Sequence, residues 1–128
     1  FNLQISLTDQ QEKHLAAHQI VNFSEGLSTL TGTAAICARL DGVIAVDTSL
    51  CHLAGSLGIP TFLLLSLASD WRWGKSTDRT VWYNNTKLFK QTSRGEWNAP
   101  LKTLKETLER DIISPFYAGA DAGRFLGK

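Results

Sequence analysis

The sequence predicts an α/β fold, a parallel β-sheet with helices on both faces, and three observations in one stretch support it. Val43–Val46 is a continuous apolar run, which is typical of a strand buried on both faces. Apolar residues then recur at helical spacing over residues 50–57, and Gly58 and Pro60 provide a C-terminal cap and a stop. A second apolar run, Thr61–Leu65, follows. Strand, helix and strand in this order predict a βαβ unit.

Two further strands are predicted near the start of the chain. Residues 1–6 alternate apolar and polar side chains, with Leu3 and Ile5 on one face, and residues 20–23 form a short apolar run. Short strands that alternate with helices of about ten residues favour a doubly wound sheet, in which right-handed crossovers place helices on both faces.

Two helices are predicted between these strands and the βαβ unit. Thr8 and Gln11, three residues apart, form a capping-box pattern that starts a helix through His18. Thr31 or Thr33 is predicted to cap the second helix, whose apolar residues lead to the central strand.

The second half of the chain contains a long loop and one more helix. Residues 66–85 form a predicted loop, and a loop of this length is more often functional than accidental. An extended segment at 87–91 and a helix at 96–110 follow. We therefore predict one domain over residues 1–110 and a C-terminal tail over residues 111–128.

Composition excludes two classes of function. The 128 residues are 43% apolar, enough for a buried core. Thirteen basic against twelve acidic residues give a net charge of +1, which lacks the broad basic face expected of a nucleic-acid-binding protein. No apolar run approaches the roughly 20 residues of a membrane span, so none is predicted.

Neither a disulfide nor a metal site is predicted. Cys37 and Cys51 belong to no CxxC or His/Cys cluster, so both are expected to be buried, reduced and poorly reactive. His14 and His18 lie four residues apart without a third ligand in the pattern, which favours surface histidines. Reduced thiols indicate a cytoplasmic location.

The candidate site is the polar turn Asp47, Thr48 and Ser49, which follows the central strand. In parallel sheets ligands bind beyond the carboxyl ends of the strands, and the first N–H groups of the next helix attract phosphate. The backbone N–H groups of Ser49 and Leu50 and the side chain of His52 are therefore candidate donors. Asp47, Thr48 and Ser49 can equally be ordinary helix caps, and His52 can be a partly buried structural residue.

A second candidate set lies in the long loop, at Asp70, Trp71 and Arg72. Asp70 and Arg72 either pair with each other or close over a bound ligand. Aromatic faces suit sugars, but Trp71 and Trp73 are interpreted as packing residues.

The stretch DGVIAVDTSLCHLAGSLG at residues 41–58 resembles the signature of glycosyltransferase family nine. This family includes bacterial heptosyltransferases and bacterial proteins that join tetratricopeptide repeats to a transferase domain. The resemblance covers about residues 1–110. Further matching blocks, in the order of the repeat-containing members, are Thr33-Ala34-Ala35, Asp70-Trp71-Arg72-Trp73, Trp82-Tyr83, Leu88-Phe89-Lys90-Gln91 and Gly95-Glu96-Trp97.

The resemblance implies the Rossmann-like C-terminal half of a GT-B glycosyltransferase of hexosyl or heptosyl type. That half binds a nucleotide sugar, with no metal or other cofactor expected, while a separate N-terminal half binds the acceptor. Asp47 is then placed beside a sugar or ribose hydroxyl, and Thr48, Ser49, Leu50 and His52 beside the diphosphate. The expected partners are the acceptor-binding half and tetratricopeptide repeats of a parent chain, in the cytoplasm or peripheral to the inner membrane.

The sequence departs from the family pattern at two places. The family's earlier strand, with a Trp-Ser-Gly-Asn-like end and a basic residue after it, has no counterpart. A donor-phosphate contact is therefore expected to be missing, and a sheet edge beside Leu3 and Ile5 to be exposed, where a second copy can pair. Ser49 stands where heptosyltransferases have Gly, so the resemblance implies a nucleotide sugar rather than ADP-heptose in particular.

The split into a donor-binding half and an acceptor-binding half determines which activity we expect of the 128 residues alone. They should fold but transfer no sugar, because transfer needs donor and acceptor held together, and no general base is assigned. The alternative is a non-catalytic interaction domain beside helical repeats. A dehydrogenase-like nucleotide binder is disfavoured because the chain has no GxGxxG turn.

Overall fold

A computed structural model of the chain describes residues 1–74 and 78–114, and the chain divides into two compact units. The first unit is Phe1–Leu40 and the second is Asp41–Lys128. Within the described residues, no helix has the length and apolar character needed to cross a membrane.

The first unit contains helix α1, Asp9–Ala17, and helix α2, Leu30–Cys37, with a short 3-10 turn, Ser24–Leu27, between them. The predicted capping box of α1 is confirmed. The Thr8 hydroxyl accepts a hydrogen bond from the Gln11 N–H at 3.3 Å, and the Gln11 side chain accepts one from the Thr8 N–H at 2.9 Å.

The predicted N-cap of α2 is wrong, because the predicted residues lie half a helical turn or more after the observed one. The N-cap is Thr29, whose hydroxyl accepts a hydrogen bond from the Gly32 N–H at 3.0 Å. Thr31 and Thr33 lie inside the helix, where the Thr33 hydroxyl donates to the Thr29 carbonyl at 3.0 Å. Three Thr residues at alternate positions can each cap a helix, and the extended backbone of Thr29 decides between them.

The two strands predicted in the first unit are also wrong in extent. Residues 1–6 and 20–23 form a single parallel bridge, Asn2 to Asn22, instead of two strands. The Asn2 N–H donates to the Val21 carbonyl at 2.8 Å, and the Phe23 N–H donates to the Asn2 carbonyl at 3.1 Å. Ile5 and Val21 remain exposed, so no buried apolar face extends the pairing.

The second unit is a three-stranded parallel sheet with helices, which confirms the predicted α/β, Rossmann-like fold class. The elements are β1 Val43–Val46, helix α3 Ser49–Ser56, β2 Thr61–Leu65, β3 Thr86–Lys90 and helix α4 Asn98–Leu108. The strand order is β1-β2-β3, with Val43 beside Thr61 and Thr61 beside Thr86. A 3-10 turn, Trp71–Trp73, lies in the long loop.

The core of this unit lies on both faces of the sheet. Phe62 of β2 and Phe89 of β3 pack with Leu104 of α4 on one face. Leu63, which points to the opposite face, is fully buried on the side where α3 runs between β1 and β2. After α4 the chain continues as a π-helical turn, Glu109–Ile113, so that Ile112 also packs against this core. Residues 115–128 of the predicted tail lie outside the described residues.

The prediction that β1 is covered on both faces is wrong. Val43 and Ala45 are buried, but Ile44 and Val46 are 51% and 52% exposed. Ile44 and Val46 share a face with the β2 residues that meet α4, and α4 packs over β2 and β3 rather than over β1. The apolar run therefore predicted the strand but not which helix covers it.

Truncation of a core residue of α4 should destabilise the second unit far more than truncation of an exposed residue of the same helix. Leu104 is 5% exposed and Leu101 is 46% exposed. We expect Leu104→Ala to lower the free energy of unfolding by about 2–5 kcal/mol, because it leaves a cavity, and Leu101→Ala to lower it by less than about 1 kcal/mol. Urea unfolding followed by Trp fluorescence measures this, since all four Trp residues lie in this unit. Equal losses in the two variants would contradict the packing described.

The ion pairs at the end of α4 should make stability depend on acid pH. Arg110 donates to the Asp111 carboxylate at 2.7 Å, and Lys87 of β3 pairs with the same carboxylate. These two cations lower the pKa of Asp111 from its ordinary value of 3.8 to about 2. A carboxyl whose folded pKa is depressed contributes stability above its ordinary pKa, and that contribution is lost as the pH falls toward the folded value.

The corresponding variant is Asp111→Asn. We expect Asp111→Asn to be less stable than the wild type by a constant amount above about pH 4, and we expect this difference to shrink between pH 4 and pH 2. Urea midpoints at several pH values measure it. Glu106→Gln is the control, because it removes an exposed α4 carboxylate that forms no ion pair among the described residues. A pH-independent difference between wild type and Asp111→Asn would show that the ion pairs contribute nothing.

Candidate functional site

The predicted site lies where β1 ends and α3 begins. Thr48 is the N-cap of α3, in extended conformation, yet its side chain forms no capping hydrogen bond. Its hydroxyl instead donates to the Val46 carbonyl at 3.3 Å. Among the residues that the structure describes, none accepts a hydrogen bond from the N–H groups of Ser49 and Leu50. Two backbone donors at the positive end of a helix are therefore available to an anion.

The Asp47 carboxylate is not the cap of α3. That position belongs to Thr48, and the Asp47 side chain lies beside the His52 ring instead, with 3.8 Å between Oδ1 and Nε2. The two side chains are 32% and 36% exposed, respectively. Asp47 and His52 thus face each other across the start of α3 and remain accessible to a ligand.

The His52 ring is held on three sides. Its Nδ1 lies 3.0 Å from the Tyr83 hydroxyl. Its face stacks on Trp73, with 5.1 Å between ring centroids and 21° between planes, and the Tyr83 ring meets it edge-on at 5.9 Å. The orientation of His52 is therefore set by two aromatic residues of the long loop.

Sequence reasoning missed the pair formed by Tyr83 and Gly55. A Cβ atom on Gly55 would lie 2.7 Å from Cγ of the Tyr83 ring, closer than real contacts allow, so the ring occupies the space that Gly55 leaves. A Gly inside a helix costs about 1 kcal/mol relative to Ala, which makes an interior Gly a signal of close packing. The sequence places Gly55 inside a predicted helix, but no pattern indicates that Tyr83, 28 residues later, packs against it.

The loop residues predicted to contact substrate mainly hold the loop itself together. The Asp70 carboxylate accepts a hydrogen bond from the Arg72 N–H at 2.9 Å and caps the 3-10 turn, and the two side chains form an ion pair at 3.3 Å. The Trp82 ring N–H donates to the Arg72 carbonyl at 2.9 Å. Trp73 is 2% exposed and packs as predicted, whereas Trp71 is 77% exposed. Asp70 and Arg72 thus pair with each other, one of the two alternatives.

Three potential metal ligands also converge at this turn. Ligand atoms of Asp47, Cys51 and His52 lie within 4.8 Å of one another. The Cys51 thiol, however, donates to the Thr48 carbonyl at 3.0 Å. Burial raises the pKa of Cys51, and the charge of Asp47 adds to the rise. A protonated, hydrogen-bonded thiol is a poor ligand, and Asp47 and His52 alone do not make a site.

A second concave surface lies elsewhere, in a groove of about 390 Å³ between β3 and α4. Its lining includes Asp78 and the cationic side chains of Arg79, Lys87, Lys90 and Arg110, of which Lys87 and Arg110 pair with the Asp111 carboxylate. None of the lining residues belongs to the turn of residues 47–52. The basic groove, as we call this surface, is thus separate from the candidate site.

Comparison with known proteins adds one relative. The chain is similar to Protein FlbA of Caulobacter vibrioides, with 35% identity over 85 residues. The match covers 66% of this chain but 14% of FlbA, so the chain spans a small part of that relative's length. No family model matches the chain, and no solved structure matches it. The resemblance to glycosyltransferase family nine stays a prediction.

Both Cys residues should resist modification in the native chain. Cys37 and Cys51 are unpaired and fully buried, as predicted, and burial raises the pKa of each thiol. A thiol reagent such as DTNB attacks the thiolate, so labelling should be slow in buffer and fast in concentrated urea. The Cys51→Ala variant assigns the remaining signal to Cys37. Rapid labelling of two thiols in the folded wild type would rule out the described burial.

Proposed function

We propose that this chain is the donor-binding half of a GT-B glycosyltransferase resembling family nine, which transfers a sugar from a nucleotide-diphosphate donor in a longer parent protein. The observation that supports this most is the uncapped start of α3. The N–H groups of Ser49 and Leu50 lie beyond the carboxyl end of a parallel strand, where α/β folds bind phosphate groups.

The chemistry proposed for the turn is stabilisation of a departing nucleotide diphosphate. Negative charge grows on the leaving diphosphate as the sugar bond breaks, and donors fixed in advance stabilise that charge. Ser49 and Leu50 supply backbone N–H groups, the Ser49 hydroxyl is a further donor, and His52 adds a ring N–H. The Thr48 hydroxyl becomes a donor to the diphosphate only by leaving the Val46 carbonyl, to which it donates in the free chain. These groups take the place that a metal ion has in other transferases, so the proposal needs no metal.

Asp47 has a different role in this proposal. A carboxylate only accepts hydrogen bonds, so it repels a diphosphate and suits a hydroxyl of the sugar or the ribose. Its position 3.8 Å from His52 Nε2 puts the hydroxyl-binding group next to the phosphate-binding group. A nucleotide sugar offers both chemistries side by side.

The remaining parts of the reaction belong to the parent protein in this proposal. The acceptor-binding half supplies the general base, and tetratricopeptide repeats are the proposed neighbouring module. A cytoplasmic location, free or peripheral to the inner membrane, is proposed because nucleotide sugars and reduced thiols both suit that compartment. Pairing of a second copy along a sheet edge beside Leu3 and Ile5 is not part of the proposal, because residues 1–6 form a single bridge instead of a strand.

The second candidate function is a non-catalytic interaction domain. The basic groove between β3 and α4 favours it, because an acidic partner can bind there without involving the turn of residues 47–52. Nucleotide binding separates the two candidates, since only the first requires it.

The test is titration of UDP, ADP and GDP into the 15N-labelled chain, with Ser49→Pro as the decisive variant. Ser49 is the first residue of α3, where Pro is tolerated, and the extended Thr48 before it suits a residue preceding Pro. Ser49→Pro thus deletes one N–H donor without breaking the helix. Loss of a hydrogen bond to a charged group should weaken binding about 10- to 100-fold.

Ser49→Ala is the matched control, because it removes the hydroxyl and keeps the N–H. We expect it to weaken binding less than Ser49→Pro, with thermal unfolding showing that both variants fold. Amide shifts confined to residues far from the turn, or equal affinity in wild type and Ser49→Pro, would refute donor binding at α3. Affinity should be weak in the isolated chain, because a site without its facing half leaves charges screened by water.

A further inference from the structure

We propose that Tyr83 and Gly55 are positioning residues that hold His52 in one neutral tautomer, with its proton on Nε2, the nitrogen that faces Asp47. The proposal concerns a state of the free protein. It rests on the proposed function only in naming the anion that this N–H meets, a nucleotide diphosphate.

The two nitrogens of His52 face groups of different character. Nε2 faces the Asp47 carboxylate, which only accepts hydrogen bonds, and Nδ1 faces the Tyr83 hydroxyl, which either donates or accepts. A proton on Nε2 therefore points at a negative charge, and the Tyr83 hydroxyl donates to the lone pair on Nδ1. The opposite tautomer would aim the Nε2 lone pair at the carboxylate. The Asp47 carboxylate favours the first arrangement at Nε2, and the Tyr83 hydroxyl favours it at Nδ1 because an acidic phenol O–H is a better hydrogen-bond donor than its oxygen is an acceptor.

Tyr83 can bond His52 only because Gly55 leaves room for its ring. With Ala at position 55, the Cβ atom would lie 2.7 Å from Cγ and 3.0 Å from both Cδ atoms of Tyr83. The backbone of Tyr83 is fixed as well, since its carbonyl accepts a hydrogen bond from the N–H of Thr86, the first residue of β3, at 3.1 Å. The ring lies against α3 and the backbone is anchored at β3, which together fix the hydroxyl.

The tautomer matters because His52 is accessible at the turn where the N–H groups of Ser49 and Leu50 are free. A neutral ring with its proton on Nε2 donates to a phosphate oxygen without first taking up a proton. The other tautomer presents a lone pair to the anion and repels it. Tyr83 therefore contributes to anion affinity without touching the anion.

The direct test is 15N NMR of the imidazole rings in the wild type and in Tyr83→Phe, at a pH where the rings are neutral. Phe keeps the ring over Gly55 and removes only the hydroxyl. We expect the wild-type His52 to show one nitrogen protonated, Nε2, and the variant to show a mixture of tautomers. His14 and His18 of α1 are internal controls, since their pattern should not change. An unchanged His52 pattern in Tyr83→Phe overturns the proposal.

The Gly55→Ala variant tests whether Gly55 acts by leaving room for the Tyr83 ring. We expect it to displace the Tyr83 ring and to give the His52 pattern of Tyr83→Phe, and the double variant should show no further change, because both act through one hydroxyl. A Gly55→Ala chain that folds with the wild-type pattern removes Gly55 from the proposal. If that variant does not fold, Tyr83→Phe alone decides.

Binding provides an independent readout. We expect Tyr83→Phe to weaken UDP or ADP binding about 3- to 10-fold, the effect of one lost hydrogen bond. Ser56→Ala, which removes another α3 hydroxyl, should leave binding unchanged. Absence of binding in the wild type contradicts the proposed function, while the tautomer measurement still decides the role of Tyr83. Equal affinity of wild type and Tyr83→Phe contradicts a role of the tautomer in anion binding.

Discussion

The parallel pairing of β2 with both of its neighbours is the constraint on which the second unit depends. Thr61–Leu65 lies between β1 and β3, so the three carboxyl ends must emerge at one edge of the sheet. Buried Gln91 ties two of these ends together. Its N–H donates to the Leu65 carbonyl at 3.0 Å, and its side chain accepts from the Leu67 N–H at 3.2 Å. The turn after β1 and the loop after β2 are brought to the same edge by backbone geometry alone.

The long loop between β2 and β3 contributes to the turn of residues 47–52 by positioning the His52 ring. Its charged residues Asp70 and Arg72 satisfy each other and shape a 3-10 turn, which buries Trp73 against the His52 ring. Farther along, Tyr83 reaches Nδ1 of the same ring. The loop thus places two aromatic rings around one imidazole. Part of its length is needed in any case, because β3 is parallel to β2 and the loop must return from the carboxyl edge of the sheet to the opposite edge before β3 begins.

Sequence patterns predicted the elements whose signals are local. The bounds of β2 match the apolar run after Pro60, and α3 ends where Gly58 takes a positive φ of 76°. Sequence patterns gave wrong predictions where the structure of a segment depends on what it packs against. Residues 1–6 and the exposed face of β1 are the two examples. The candidate turn at Asp47 was located because strand, polar turn and helix are contiguous. The contact between Gly55 and Tyr83 was not, since no short-range pattern joins residues 28 positions apart.

The charge of the turn explains why positioning matters so much there. Residues 47–52 contain one carboxylate and no Lys or Arg, so an anion that binds there is not attracted by a fixed positive charge of the turn itself. Its attraction must come from oriented dipoles, namely the free N–H groups of α3 and the ring N–H of His52. Dipole interactions fall off more steeply with distance and angle than charge interactions do. In the proposed donor complex a misoriented His52 would leave the Asp47 charge facing the anion without compensation, so the proposed attraction of a phosphate group depends on the packing of Tyr83 against Gly55.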